Sequence, residues 1–207
     1  MTQPPIDPEQ QIRAEFMAGR LEAAASATLE MYGSEILSFL ASRLRARSDA
    51  HEVFSMFAED LWLGLPKFSW RCSMRTWSYT LARNAASRYA SAPQQRLARN
   101  LTLSCPDALS AMIERARSST QAYQRTEVKD RFRTLREQLD PEDQTLLVLR
   151  VDRGMAWRDL AITMLGDADV DDAAIERESA RLRKTFERVK AELKRIAERE
   201  GLLKSKP

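Results

Sequence analysis

The stretch RCSMRTWSYTLARNAASRY, residues 71–89, decides how this chain reads. At about 100° per residue, the part from about Arg75 to Tyr89 divides cleanly. Leu81, Ala82, Ala85, Ala86 and Tyr89 fall on one side, and Thr76, Thr80, Arg83, Asn84, Ser87 and Arg88 on the other, with Trp77 at the edge. An amphipathic helix is the expectation. Its surroundings hold four arginines, three aromatic residues and an asparagine without one acidic residue. Cationic side chains beside flat rings suit single-stranded nucleic acid, because phosphates need neutralising and every base offers a face to stack on. The bland alternative is a solvated basic face over a core, and Trp77 and Tyr89 fit either reading.

Outward from this helix, the composition points to an all-α chain. Only 6 glycines occur in 207 residues, and abundant Ala, Leu, Arg and Glu lose little rotamer freedom in helices. That length allows two small domains, each with its own core. Net charge is a modest +3, but its distribution is uneven: residues 71–100 carry six arginines and no acid, whereas Asp49, Glu52, Glu59 and Asp60 fall in a stretch without Lys or Arg. Cys72 and Cys105 lie far apart, outside any metal-ligand or disulfide pattern, and suggest reduced thiols. No apolar run approaches the roughly 20 residues of a membrane span, and MTQPPIDPEQ has no apolar signal core. A cytoplasmic protein is therefore expected.

Residues 1–12 are expected to form a flexible tail. A first domain is predicted over 13–90. Phe16, Leu21, Ala24, Ala25 and Leu29, then Ile36, Leu37, Leu40 and Leu44, recur at helical spacing, with Gly33 as a break between two helices. Asp49 is the expected N-cap of the next helix, which turns Val53, Phe54, Phe57, Leu61 and Leu65 inward until Pro66 stops it. Residues 91–126 lack sustained periodicity and read as a linker with one helical piece near 107–117.

A second domain is predicted over 127–203. Phe132, Leu135 and Leu139 share one face of its first helix. In DPEDQTLLVLRVDRG, Asp140 suits an N-cap, Pro141 the first helical position and Gly154 the stop. AWRDLAITMLG supplies a short helix with Trp157, Leu160, Ala161, Met164 and Leu165 inward and Gly166 as a turn. A long helix from about Asp172 to Glu200 follows, with Ile175, Leu182, Phe186, Val189, Leu193 and Ile196 at threes, fours and sevens. Short helix, glycine turn and long basic helix form a helix-turn-helix pattern.

DAHEVFSMFAEDLWLGLPKF followed by RCSMRTWSYTLARNAASRY resembles region 2 of the bacterial sigma factors, in particular the small extracytoplasmic-function group of the sigma-70 family. LDPEDQTLLVLRVDRGMAWRDLAITMLG resembles the start of region 4 of the same group. The two matches follow the family's order along the chain. The resemblance implies a transcription initiation factor that binds core RNA polymerase, locates a promoter and melts it. Asp49, Glu52, Ser55 and Asp60 would face the polymerase, as region 2 docks on the clamp helices of the largest subunits. Trp70, Ser73, Arg75, Arg83, Asn84 and Arg88 would receive the minus-ten element as an unpaired strand, the loop from Trp70 to Met74 pocketing a flipped base. Arg177 and Arg181 would read base edges of the minus-thirty-five element, while Lys184 and Arg188 hold phosphates. Promoter DNA and the polymerase are the implied partners, with room left for an anti-sigma factor.

The acidic segment DADVDD, 167–172, departs from the family's shorter turn. Asp167, Asp169, Asp171 and Glu178 match positions one, three, five and twelve of a calcium loop, but Asp172 stands where that loop needs glycine. An acidic cap or a regulator contact fits better, and no metal is expected. A single histidine, His51, and the absence of a Gly-rich phosphate loop or nucleophile elbow speak for a protein that is not an enzyme and uses no cofactor. Two other classes remain open. One is a helix-turn-helix regulator that binds duplex operator without polymerase; the other is a helical adaptor whose basic faces meet acidic proteins.

Overall fold

The computed structural model describes residues 8–44, 46–91 and 134–202, leaving aside the side chains of Pro8 and Arg47. Among these residues every regular element is helical, so the chain is all-α. The elements are α1 (Pro8–Met17), α2 (Leu21–Arg43), α3 (Arg47–Gly64) with a 3₁₀ turn at Leu65–Lys67, and α4 (Met74–Ser91). After the expected linker, which lies outside the described residues together with Phe132, come α5 (Pro141–Leu147) with a π turn at Val148–Asp152, α6 (Trp157–Leu165) and α7 (Asp172–Arg199). The helices form two compact units, α1–α4 and α5–α7. No helix among the described residues is long and apolar enough to cross a membrane.

In the first unit, α2 packs against α1, α3 and α4, and α3 packs against α4. Leu29, Ile36, Leu37 and Leu40 of α2 meet Val53, Phe54, Phe57 and Leu61 of α3 in a core closed off from solvent. Phe39 and Tyr79 meet edge to face at 5.3 Å between centroids, and Phe68 stacks on Trp77 at 4.5 Å. Aromatic pairs in such geometries add to the burial of their area.

Three expectations are corrected here. Gly33 does not break the helix: it lies buried inside α2, where packing of the buried face outweighs the roughly 1 kcal/mol that glycine costs relative to alanine. The break falls at Gly19, φ +72. There Gly19 N donates to Phe16 O and Arg20 N to Glu15 O, the Schellman closure that favours glycine. The N-terminal segment is not all tail, because α1 starts at Pro8 and buries Ile12. Asp49 is not the N-cap of α3; Ala46 holds that position and Asp49 lies in the first turn.

On α4, Thr76, Ser78 and Thr80 are buried rather than solvent-facing. Thr80 Oγ1 donates to Thr76 O at 2.9 Å and Ser78 Oγ to Met74 O at 2.8 Å. Short hydroxyls that bond the preceding turn can be buried without leaving a donor unmet. Leu81, expected inside, is half-buried.

The start of α4 is held from a distance in sequence. Glu9 Oε2 accepts from Met74 N at 3.0 Å and Glu9 Oε1 from Arg75 N at 3.0 Å, while Tyr32 Oη donates to Glu9 Oε1 at 2.7 Å. A carboxylate at these orphan amides satisfies donors and complements the positive end of the helix dipole. α1 is thereby tied to both α2 and α4.

The second unit closes around Leu146, Leu147 and Leu149, Leu160, Ala161 and Ile162 of α6, and Ile175, Leu182, Val189 and Ile196 of α7. Pro141 takes the first position of α5 behind Asp140, which makes no side-chain cap bond. Gly154 follows the π turn at φ +63. Asp171 caps α7, its side chain accepting from Ala174 N at 2.7 Å. Leu165, expected inward, is 39% exposed. It is the last residue of α6, and Ile162 and Thr163 occupy the buried positions instead.

If Glu9 organises the start of α4, Glu9→Ala will destabilise the first unit by about 1 kcal/mol, the usual loss for a helix cap. Removal of the exposed Gln10 side chain will change stability by less than about 0.5 kcal/mol. Urea unfolding of the full chain, followed by far-UV circular dichroism, measures both.

Candidate nucleic-acid interface

The first candidate surface is α4 and the loop before it. Ser73 is the local cap of the helix: its Oγ accepts from Thr76 N at 3.0 Å and lies 2.9 Å from Thr76 Oγ1. Arg75 does not project as a free cation. Its Nε donates to Glu35 Oε2 at 3.2 Å, its Nη2 also pairs with Glu35, and the guanidinium lies 5.6 Å from the Tyr79 ring centre. The hydrogen bonds to Glu35 raise the Arg75 pKa above its ordinary value. Arg75 thereby ties α4 to α2.

Trp70 is the one non-glycine residue with positive φ among the described residues, at +57°. A bulky side chain in this region marks a strained turn. Its ring is half-buried in a cluster, with Phe16 at 5.6 Å, Phe68 at 5.0 Å and the Arg13 guanidinium at 5.4 Å. Trp77 and Tyr89 are 7% and 6% exposed, so their role as core aromatics is the one realised. Tyr89 Oη donates to Asp49 Oδ1 at 2.9 Å.

Arg83, Asn84 and Arg88 lie on the expected polar side of α4, the first two half-buried and the third exposed. Arg88 Nη2 pairs with Asp60. Of the residues expected to face the polymerase, Asp49 and Asp60 therefore bond to α4, and Ser55 Oγ donates to His51 O at 3.2 Å. Glu52 is half-buried on α3. The acid-free look of residues 71–89 is thus a property of the segment and not of the folded face, since α2 and α3 bring carboxylates to it.

The second candidate surface is α7. Arg177, Arg181 and Lys184 are all exposed, while Ile175, Leu182 and Val189 bury the opposite side. Arg181 Nε donates to Glu178 Oε2 at 2.7 Å and Nη2 to Oε1 at 2.5 Å. These bonds raise the Arg181 pKa. Arg188 Nη2 donates to both carboxylate oxygens of Asp143 at 2.8 Å. Asp143 is only 7% exposed, so the pair pins α7 to α5, while the Arg188 side chain stays 61% exposed.

Trp157 stands where α6 meets α7. Arg150 lies 4.6 Å and Arg183 5.7 Å from its ring centre, Phe186 contacts its edge at 5.6 Å, and Ser179 Oγ donates to its carbonyl at 3.1 Å. Cations over an indole face are attracted by the ring quadrupole. Within the acidic segment Asp171 caps α7, and Asp172 accepts from Arg158 Nη2 at 2.6 Å. Glu178, the twelfth position of the calcium pattern, is bonded to Arg181, and no group of side chains suited to a metal ion occurs among the described residues.

Sequence reasoning misses Glu9, Arg13 and Glu35, and notes Glu178 only as a calcium-loop position. Only Glu178 carried a local signal, an acid three residues before an arginine on one helix. No protein-family model and no curated protein matches the chain.

Because Asp143 is nearly closed off from solvent, Arg188→Ala will leave a carboxylate without its charged donor. A loss of about 1–3 kcal/mol is expected, against less than about 0.5 kcal/mol for the exposed Arg177→Ala. The midpoint of urea unfolding for the second unit reads the difference.

Proposed function

We propose that the protein is an RNA polymerase sigma factor of the extracytoplasmic-function type, acting in transcription initiation. The first unit, as region 2, would dock on core polymerase and hold the unpaired minus-ten strand. The second, as region 4, would seat α7 in the major groove of the minus-thirty-five element. The observation that carries the reading is α7: a long helix behind a short helix and a glycine turn, burying one side and turning Arg177, Arg181 and Lys184 to solvent in its N-terminal half. That is the disposition a groove-reading helix requires. The sequence resemblance of both halves to one family supplies the link to polymerase.

On α4 the strand would meet Arg83, Asn84 and Arg88. Unstacking bases costs a few kcal/mol per step, so capture must offset it by hydrogen bonds, phosphate neutralisation and stacking. The Arg88–Asp60 pair is no obstacle, since an exposed ion pair contributes only about 0–1 kcal/mol. Asn84 would offer its amide to a base edge.

Run-off transcription with purified core polymerase, this protein and a pool of genomic promoter fragments tests it. Template-specific initiation is the expected result. Duplex binding without initiation would favour the helix-turn-helix regulator instead. The double substitution Asn84→Ala with Arg88→Ala is expected to abolish open-complex formation and leave polymerase binding intact. Permanganate reactivity near the start site reads the first effect and co-elution with core polymerase the second.

A further inference from the structure

Of Arg177, Arg181 and Lys184 on the N-terminal half of α7, only Arg181 is held on two atoms by one carboxylate in the described contacts. Its partner differs sharply in environment. The Glu178 side chain is 13% exposed and the Arg181 side chain 61%. Glu178 follows the buried Ile175 by three residues and precedes the buried Leu182 by four, so its stem is fixed at the border of the apolar side. The carboxylate is an anchored base, and the guanidinium is the part that projects.

We propose that Glu178 is a positioning and specificity-determining residue, which locks Arg181 so that it presents one edge of its guanidinium to one base pair. This rests on the reading of α7 as the groove-binding helix and adds to it a residue that does not itself touch the base. The geometry restricts how Arg181 can read. Nε–H and one Nη2–H are consumed by Glu178, so the side-on approach through Nε and Nη2 is closed. The two Nη1–H bonds and the second Nη2–H remain, directed along the end of the side chain. That end-on fork matches the O6 and N7 acceptors of guanine. A lone arginine keeps many rotamers and tolerates neighbouring acceptors, including phosphates; one whose rotamer is set by a bidentate carboxylate has lost that choice before binding. Glu178 also disfavours a phosphate close to its own oxygens, which pushes Arg181 toward base edges. Lys184 has no such brace in the described contacts and offers a point charge without planar direction.

The test is sequence selection from a randomised upstream duplex by reconstituted polymerase holoenzyme, using the full chain as wild type, Glu178→Gln, Glu178→Ala and Arg181→Ala. Wild type is expected to select guanine at one base pair, and Arg181→Ala to lose that preference. Glu178→Ala is expected to lower the guanine preference at the same base pair about tenfold while leaving the other positions within about twofold. Glu178→Gln, which keeps one acceptor oxygen, falls between. A merely structural role would weaken all positions alike, and that pattern overturns the proposal. So does an unchanged guanine preference in Glu178→Ala when Arg181→Ala has lost it. If wild-type holoenzyme selects no upstream sequence at all, the groove-binding reading of α7 fails, and this inference with it.

Discussion

A guanidinium carries five donors and a charge that cannot be shed, and the fold meets that demand with carboxylates from neighbouring positions. Arg75 is held by Glu35, Arg88 by Asp60, Arg181 by Glu178 and Arg188 by Asp143. These pairs do different work because their carboxylates sit on different elements. Asp143 belongs to α5, so its pair with Arg188 ties two helices together. Glu178 lies three residues before Arg181 on α7 itself, so its pair fixes a direction more than it adds stability. Whether a given arginine is a building element or a recognition element follows from where its carboxylate sits.

The same logic explains why α4 can be both core and surface. Its buried side is lined by Trp77, Tyr79 and alanines, with hydroxyls of Ser78 and Thr80 folded back on the preceding turn. Its start is tied down by Glu9 from α1 and by Ser73. A helix fixed at its first turn and along one side offers Arg83, Asn84 and Arg88 from a rigid support. Rigid support is what a site needs when binding must offset the cost of opening a duplex.

Much of the fold was legible in the sequence. The helical periodicity of residues 53–65 and 175–196 placed α3 and α7 within a few residues, and Pro141 and Gly154 marked the bounds of α5 and its π turn. The errors have local causes. Gly33 and Gly19 are equally plausible breaks by composition, and only packing decides that α2 runs through the first while the second takes the positive φ. Thr76 and Thr80 look polar in any angular plot, yet bury once the Thr76 hydroxyl meets Ser73 Oγ and the Thr80 hydroxyl bonds Thr76 O. The candidate site was legible as residue types and not as partners. No segment reading reveals that Glu35 lies 40 residues before the arginine it holds, or Asp60 28 residues before its own. Arg75 and Arg188 read from the segment as cations alone, and the ties they make between helices are not visible there.

Strand separation is the property that divides this reading from a plain duplex-binding regulator. Its direct measure is the fluorescence of 2-aminopurine placed in the non-template minus-ten strand of a promoter initiated in run-off transcription. A rise on adding core polymerase with this protein, absent with core polymerase alone, is the predicted result. Unchanged fluorescence while the protein–polymerase mixture still binds that promoter would contradict it.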